Sequence, residues 1–476
     1  MPIKYRQISL KDTFSDCQDM FMDDTPSFFQ LLDEHFDIQE FIPSVFINAF
    51  YQHLGRKRTY PLTGFLSSLI LQKIFSIPTD SLLILFLNLC RELRDFCGFS
   101  KVPDAPLFSR FKQNFEPHLE LMFRQMVDYT EPICQMIDST LADILTFDTS
   151  GIELFVTENN PKTLNALIKR LKNFYKDKPE VDPYRMAYGL MPSHAASCLD
   201  AKQQYINGHF CYADKFAILT NGLGIVREIV FLDDDFKSSH PELPVEKKSD
   251  SPDEDKSISD SAALKPVLSD FFASHPDFHP NTFLGDAAFD SADIYSFLKN
   301  DFGFQKALIP YNPRNESSLK KVGYNAYGYP TCPNDSSLSM KYCGITKEKG
   351  RSDRIKWCCP KIRMVKGQWV CDCKEPCSTA KKGRTTYTYE NMDFRMFPGI
   401  QRDTPEWHSL YKIRTIIERA INHFKINMCT AGKRTRNHIT TKADVFLAGI
   451  ASQLTVIVAS RINCPQYIRS LKPLVA

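Results

Sequence analysis

The stretch Tyr411–Lys425, YKIRTIIERAINHFK, decides how the rest of the chain is read. Turned as a helix at about 100° per residue, it places Tyr411, Arg414, Glu418, Asn422 and Lys425 on one narrow arc. Ile413, Ile416, Ile417, Ala420, Ile421 and Phe424 fill the opposite side. One face is built for packing. The other lines up a phenol, a guanidinium, a carboxylate, an amide and an ammonium. A surface helix ordinarily scatters its charges over a wide polar face. A row this narrow is therefore either a solvated stripe or part of a site, and other segments must decide which.

The chain has 476 residues, of which 43% are hydrophobic and 24% charged, an ordinary globular composition with room for two or three cores. The longest purely apolar runs, such as Leu82–Leu87, fall short of the ~20 residues that span a bilayer, so no membrane partner is expected. The opening MPIKYRQISL has no apolar core of a secretory signal. Seven of the fifteen cysteines crowd between Cys332 and Cys377, and the other eight are scattered as reduced thiols would be, which points to the cytoplasm. A net charge of +3 says little about nucleic acid by itself, so the distribution of charge has to be read.

Two aspartates stand at the ends of strand-like runs. Ile144–Phe147 leads into Asp148-Thr149-Ser150-Gly151, and Asn281–Phe289, NTFLGDAAF, carries Asp286 after a short strand and a glycine. An acid at the end of a buried strand is unfavourable unless it is paired or binds a cation; the plainer reading is that Asp148 caps a turn. Between them a basic helix is expected over Pro161–Asp177, a hairpin over His209–Leu232 around NGLG, an exposed loop over Asp233–Asp260 and a helix over Ala262–Phe272. After Asp286 come a helix to Leu298, capped by Asp290 or Ser291, and a strand at Lys306–Ile309. The order strand, hairpin, helix, strand, helix, strand and late helix is that of an α/β, RNase H-like mixed sheet, in which Asp148 and Asp286 end neighbouring strands and Glu418 closes the site.

Four segments follow: an α-helical N-terminal region (1–140), the first part of the core (141–310), a Cys-rich, strand-containing insertion (311–407) and C-terminal core helices (408–476). Helices are expected at Phe41–Leu54, Leu62–Phe75 and Leu82–Phe96, with Arg56, Lys57, Arg58, Lys101, Arg110 and Lys112 beside them, and an apolar helix at Thr440–Ile462 after Lys433, Arg434 and Arg436. Between Thr346 and Thr385, twelve Lys/Arg face four acids, with Trp357 and Trp369 interleaved; cations among aromatics suit a nucleic-acid backbone with base stacking. Cys332, Cys343, Cys358, Cys359, Cys371, Cys373 and Cys377 hold enough thiolates for one tetrahedral zinc, although no clean pair of C-x2-C knuckles is present and free thiols are the alternative.

The order Y-x2-R-x3-E-x6-K at Tyr411, Arg414, Glu418 and Lys425 resembles the YREK signature of the DDE transposases of bacterial insertion sequences, and Gly98–Phe115 resembles the N-terminal region common in them. The resemblance implies that Asp148, Asp286 and Glu418 are catalytic and hold Mg2+ or Mn2+ in a two-metal site for in-line phosphoryl transfer, whereas Tyr411, Arg414, Asn422 and Lys425 grip DNA. It implies end cleavage and joining of the 3′-OH to target DNA, with double-stranded DNA as partner, a homodimer on paired ends, and a nucleoid location when on DNA. N-terminal helices that recognise terminal inverted repeats and an insertion that contacts DNA belong to the same expectation. A metal-dependent nuclease that cuts without joining, or a non-catalytic DNA-binding derivative, are the alternatives.

Overall fold

A computed structural model of the chain describes residues 27–51, 57–192, 194–206, 209–243, 258–312, 323–325, 327–389, 395, 397–432, 435 and 437–475. The N-terminal part is helical, with α1 at Ser27–His35, α2 at Ser44–Phe50, α3 at Leu62–Ile74, α4 at Asp80–Leu89, α5 at Arg91–Phe96 and α6 at Ala105–Ala142. The single helix expected over Leu82–Phe96 is two, because Cys90 takes an extended conformation that ends one and starts the next. The expected Phe41–Leu54 helix is shorter and ends at Phe50; Arg56, Lys433, Arg434 and Arg436 lie outside the described residues. Helix α6 buries Phe108, Phe111, Phe115, Leu119, Met122 and Met126 along one stripe, at the three- and four-residue spacing of a packed helix face.

That stripe lies along α14, His438–Arg461, which is buried on nearly every side. Helix α14 is long and apolar enough to cross a membrane by length and composition alone, yet 94% of its apolar window is buried inside the protein. A single apolar cluster runs from Phe28 and Leu66 through Phe123 and Val445 to Phe216, Phe283 and Ile417. The N-terminal helices therefore share one core with the sheet.

The sheet is mixed and has seven strands. Strands β1 (Ile144–Glu153), β2 (His194–Ala195), β3 (Cys198–Ile206), β4 (His209–Asn221), β5 (Val226–Phe231), β6 (Thr282–Leu284) and β7 (Lys306–Leu308) run in the order β2-β3-β4-β1-β6-β7, with β5 also on β4. Strands β1, β6 and β7 are parallel, whereas β4 is antiparallel to β1, β3 and β5. Strand β1 does not stop before Asp148 but continues to Glu153, so Asp148 is mid-strand, opposite Ile218. Gly151 makes this possible: a Cβ there would run into Ile206 and stand 2.8 Å from the Gln204 carboxamide oxygen.

Helix α7 (Pro161–Phe174) is the expected basic helix; α8 (Pro183–Leu190) and the β2–β3 edge that follow were not legible. Within the expected loop after the hairpin, Asp233 caps a short helix, α9 (Asp234–Ser239), by accepting from Phe236 N at 3.0 Å; residues 244–257 lie outside the described residues. Helix α10 spans Asp260–Ser274, and α11 (Ala292–Asn300) is capped by Ser291. The insertion holds a three-stranded sheet, β10 (Lys341–Thr346), β11 (Arg354–Cys358) and β14 (Thr385–Tyr389), and two hairpins, β8–β9 (Thr331–Cys332, Asp335–Ser339) and β12–β13 (Ile362–Val365, Gln368–Cys371). Tyr329, Met340, Ile355, Trp357 and Phe397 form its own small core.

Helix α14 is pinned to the sheet at its first turn. The His438 ring stands 3.0 Å from Asp214 on β4 through Nδ1 and 3.0 Å from Asp233 through Nε2, and Lys442 reaches Asp233 at 3.0 Å, with Glu116 also facing this cluster. Burial alone would lower the His438 pKa, but the two carboxylates outweigh it and raise it to about 10. A raised histidine pKa contributes stability that is fully present below its unfolded value, about 6.5, and is lost as pH rises through about 10. Urea midpoints of the wild-type protein should therefore fall between pH 6.5 and 10. His438→Gln should cost about 3 kcal/mol at pH 6 and flatten that slope; an equally steep slope in the variant would refute the pairing as its origin.

Candidate active site

The signature residues sit on an irregular helical segment rather than the single α-helix expected. Helix α12 (Pro405–Tyr411) leads into a 3-10 turn at Lys412–Arg414, then α13 (Thr415–Asn422), then a π-helical turn at His423–Asn427 in which Met428 N donates to His423 O at 2.9 Å. Packing explains the start: Trp407 is buried against Ile144, Leu284, Leu308 and Ile400 at the strand ends, and Tyr411 stacks on it at 4.7 Å with ring planes 13° apart. Tight and wide turns on either side of α13 let that anchor coexist with burial of Ile416, Ile417, Ala420 and Ile421.

This segment carries one carboxylate, Glu418, and two more, Asp148 and Asp286 on the sheet, act electrostatically on its Arg414. Leu284 at the end of β6 pairs with Thr146 of β1, so Asp286 and Asp148 each lie two residues past one matched pair. Asp286 is exposed and caps the short turn Ala287–Phe289 by accepting from Ala287 N at 2.6 Å. Asp148 is half-buried and accepts from Thr149 N at 2.8 Å. Glu418 is exposed and ion-paired with Arg414 at 2.7 Å. Arg414 is the common partner: Tyr411, Asp286, Glu418 and Asp148 all raise its pKa against the effect of burial. Burial pushes the Asp148 carboxyl up to about 6; the Thr149 amide and Arg414 pull it down, whereas Asp260 and Glu418 add to the rise. Lys425 is held below its ordinary pKa by burial, with Cys211 and Asp148 opposing. Asn422 is exposed. Among the described residues, no group of three or more His, Cys, Asp or Glu stands close enough to hold a metal ion.

Two further acids belong to this neighbourhood and carry no sequence signal. Asp260, at the start of α10, accepts from Thr149 Oγ1 at 2.6 Å and pairs with the buried Lys215 at 2.9 Å. Asp290, four residues after Asp286, is wholly buried. It receives Arg395 in a two-point contact (3.1 and 2.7 Å), the Tyr295 hydroxyl at 3.0 Å and Asn312 N at 2.7 Å. Arg402 donates to the Tyr295 hydroxyl at 2.6 Å. Both ends of the insertion are thus tied to one carboxylate beside Asp286.

Several expected contacts are corrected. Lys112 is not available to a ligand, being buried and ion-paired with Asp80 at 2.7 Å. Trp357 is not a stacking platform: it lies in the insertion core with Nε1 donating to Thr388 Oγ1 at 2.8 Å. Trp369 is half-buried, with Lys382 over its ring at 5.9 Å. Cys343 and Cys358 are joined as a disulfide between β10 and β11, which removes two of the seven zinc candidates. Of the rest, Cys359, Cys371 and Cys377 line one cavity of about 220 Å3, and the Cys359 thiol is raised by burial and then by Cys371, Cys332 and Cys377.

Residues 16–114 match the family model described as Transposase domain (DUF772). The matched segment covers the N-terminal helices through the first turns of α6, and it supports a transposase role for the chain. No curated protein matches the chain.

The Asp290 contacts predict that Asp290→Asn frees the insertion from the core. Arg395 would keep its charge in a half-buried place without a carboxylate, at a cost of about 3 kcal/mol. Limited proteolysis should then cut within 311–407 faster than in wild type, ahead of any cut in the sheet. Equal cutting rates and an unchanged unfolding midpoint would contradict this role.

Proposed function

We propose that the chain is a DDE transposase with an RNase H-like catalytic domain, which cleaves the ends of its element and joins the 3′-OH to target DNA. The observation that carries this reading is that Asp148, Asp286 and Glu418, from β1, the end of β6 and α13, all act on one guanidinium, Arg414, which Glu418 pairs at 2.7 Å; as they stand the three carboxylates are not close enough to ligate one ion. The strand order β5-β4-β1-β6-β7, with only β4 antiparallel to β1 among its neighbours, supports the fold reading. The match over residues 16–114 supports the transposase reading.

The donor set fits magnesium or manganese in kind, since all three groups supply hard oxygens. The Asp148 carboxyl, raised to about 6 first by burial and then by Asp260 and Glu418, would be drawn back into its ionised form by a cation. When bound, one ion would lower the pKa of an attacking water or 3′-hydroxyl and a second would stabilise the leaving 3′-oxygen. Asp148, Asp286 and Glu418 would hold them, which requires Glu418 to leave Arg414 and the carboxylates to draw together. Arg414 would then turn its guanidinium to a phosphate, with Lys425 as a second cation and Tyr411 fixed by its stack on Trp407. Holding the scissile phosphate in place is a large part of the rate in such chemistry.

Asp148→Asn, Asp286→Asn and Glu418→Gln should each abolish cleavage of duplexes carrying the DNA that flanks the gene, while binding stays within a few-fold of wild type. A variant that still cuts at near wild-type rate in Mg2+ removes that residue from the site. A protein that cuts but never joins a pre-cleaved 3′ end to a second duplex would leave the nuclease reading instead.

A structural zinc is a separate proposal for the insertion, now on Cys332, Cys359, Cys371 and Cys377, with Cys373 beside them. Soft thiolates suit the metal, although in the structure as it stands they are too far apart to ligate. Purified protein should carry about one zinc per chain by elemental analysis, and Cys371→Ser should release it. Metal-free protein with an intact, protease-resistant insertion would rule the site out.

A further inference from the structure

We propose that Asp260 and the buried Lys215 are positioning residues for Asp148: acting through Thr149, they hold its carboxylate so that one oxygen is fixed and the other is left for a divalent ion. The inference rests on the reading of Asp148 as a metal ligand given above. Asp148 stands where the sheet supports β1 least. The parallel pairing of β1 with β6 ends at Thr146, opposite Leu284, whereas the pairing with β4 runs on to Glu153. From Phe147 onward, β1 therefore has a neighbouring strand on one side only. A ligand carried there needs bracing from outside the sheet if it is to stay within about 0.5 Å of a productive geometry.

The brace comes from the opposite face of the strand. Successive side chains of a strand alternate between faces, so Thr149 points away from Asp148 and shares its face with Gly151. Lys215 of β4 lies directly opposite Gly151, and hence on that same face. Asp260, at the start of α10, closes the space between them. One carboxylate oxygen, Oδ1, accepts from Thr149 Oγ1 at 2.6 Å and pairs with Lys215 Nζ at 2.9 Å. Lys215 also donates to Ile258 O at 2.7 Å, so one ammonium fixes both the Asp260 carboxylate and the backbone two residues before it. The Lys215 side chain is 7% exposed, a place unfavourable for a lysine unless its charge is matched, and Asp260 supplies the matching charge.

These contacts reach the site through a single peptide. Thr149 N donates to Asp148 Oδ1 at 2.8 Å. With the Thr149 side chain tied to Asp260 on one face, the peptide that carries this N–H is held, and Asp148 Oδ1 is fixed on the other face. A carboxylate whose one oxygen is held by an amide presents the second to a cation in a defined direction. Thr149 suits this task by its type. Its hydroxyl makes the tie, and its branched Cβ restricts the side chain and favours a strand. Lys215 and Asp260 would pair equally well beside a valine. The hydroxyl on their shared oxygen is what links the pair to Asp148.

The test measures Mn2+ binding to the full chain without DNA, by electron paramagnetic resonance, beside single-turnover cleavage of duplexes carrying the DNA that flanks the gene. Thr149→Val keeps the shape and removes the hydroxyl. It should weaken Mn2+ binding and slow cleavage, each by roughly tenfold, as loss of an outer partner of a metal ligand does, with duplex affinity and the unfolding midpoint unchanged. Thr149→Ser restores the hydroxyl and should recover most of both. Asp260→Ala removes the other half of the same bond, so the double variant should bind Mn2+ no more weakly than the weaker single variant. Wild-type Mn2+ affinity in Thr149→Val, or in Asp260→Ala should the valine variant fold poorly, would overturn the positioning role while leaving the transposase reading intact. Equal losses with valine and serine, or losses that multiply in the double variant, would mark a packing effect and overturn it too. Wild-type protein that neither binds Mn2+ nor cleaves would overturn both readings.

Discussion

The structure depends on how one carboxylate is accommodated inside an apolar helix. Asp444 lies near the start of α14, a helix otherwise buried among aliphatic side chains, and its own side chain is 2% exposed. An isolated anion there would be strongly unfavourable. Lys73 from α3 and Lys112 from α6 meet it at 2.8 and 3.1 Å, and Lys112 continues to Asp80 at the start of α4. Two positive and two negative charges therefore close on one another, with Lys73, Lys112 and Asp444 buried and Asp80 partly open to water. Such a cluster contributes less net stability than its Coulomb energy suggests, because four groups are desolvated. Its effect is on register: α3, α4 and α6 can dock on α14 in one way only, since any slip strands a charge. The N-terminal helices are thereby fixed relative to the sheet.

That constraint separates what the sequence disclosed from what it hid. The two aspartates, the hairpin between them and the parallel return of β6 beside β1 were legible, because buried strands and turn residues leave local signals. The length of β1 was not, because Asp148-Thr149-Ser150-Gly151 has the composition of a turn, and its pairing with β4 through Glu153, with Gly151 leaving room for Ile206 and Gln204, is a tertiary fact. Lys112 read as a free surface cation, since its partners Asp80 and Asp444 are distant in sequence and pairing is a tertiary fact. Trp357 misled for the same reason: aromatic residues among lysines look available until the strands around them are folded. Asp260 and Asp290 were invisible as site neighbours because each looks like an ordinary helix-capping acid.

The irregular signature segment shows a different limit. A uniform helix would have set Tyr411 to Lys425 on a single arc, whereas the chain uses a 3-10 turn, an α segment and a π turn. Two anchors impose this. Trp407 and Tyr411 are committed to the strand ends, and Phe424 and Met428 are committed to the main core. Periodicity counts residues and cannot see that the two anchors demand different windings. The adjustments fall on either side of α13, so Glu418 stays on regular helix with Arg414 one turn before it at 2.7 Å.

Charge balance then explains why Arg414 sits where it does. Asp148, Asp286 and Glu418 bring up to three negative charges to a half-enclosed place, and Arg414 and Lys425 supply two positive ones. Burial is the main reason that the Asp148 proton is held to about pH 6, and Asp260 and Glu418 add to it against the pull of Arg414. Asp260 cannot relieve it, being negative itself and already matched to Lys215. On the proposed function, a divalent ion would supply positive charge without the bulk of another side chain, and Glu418 and Arg414, paired at 2.7 Å, would part so that the guanidinium faces an incoming anion.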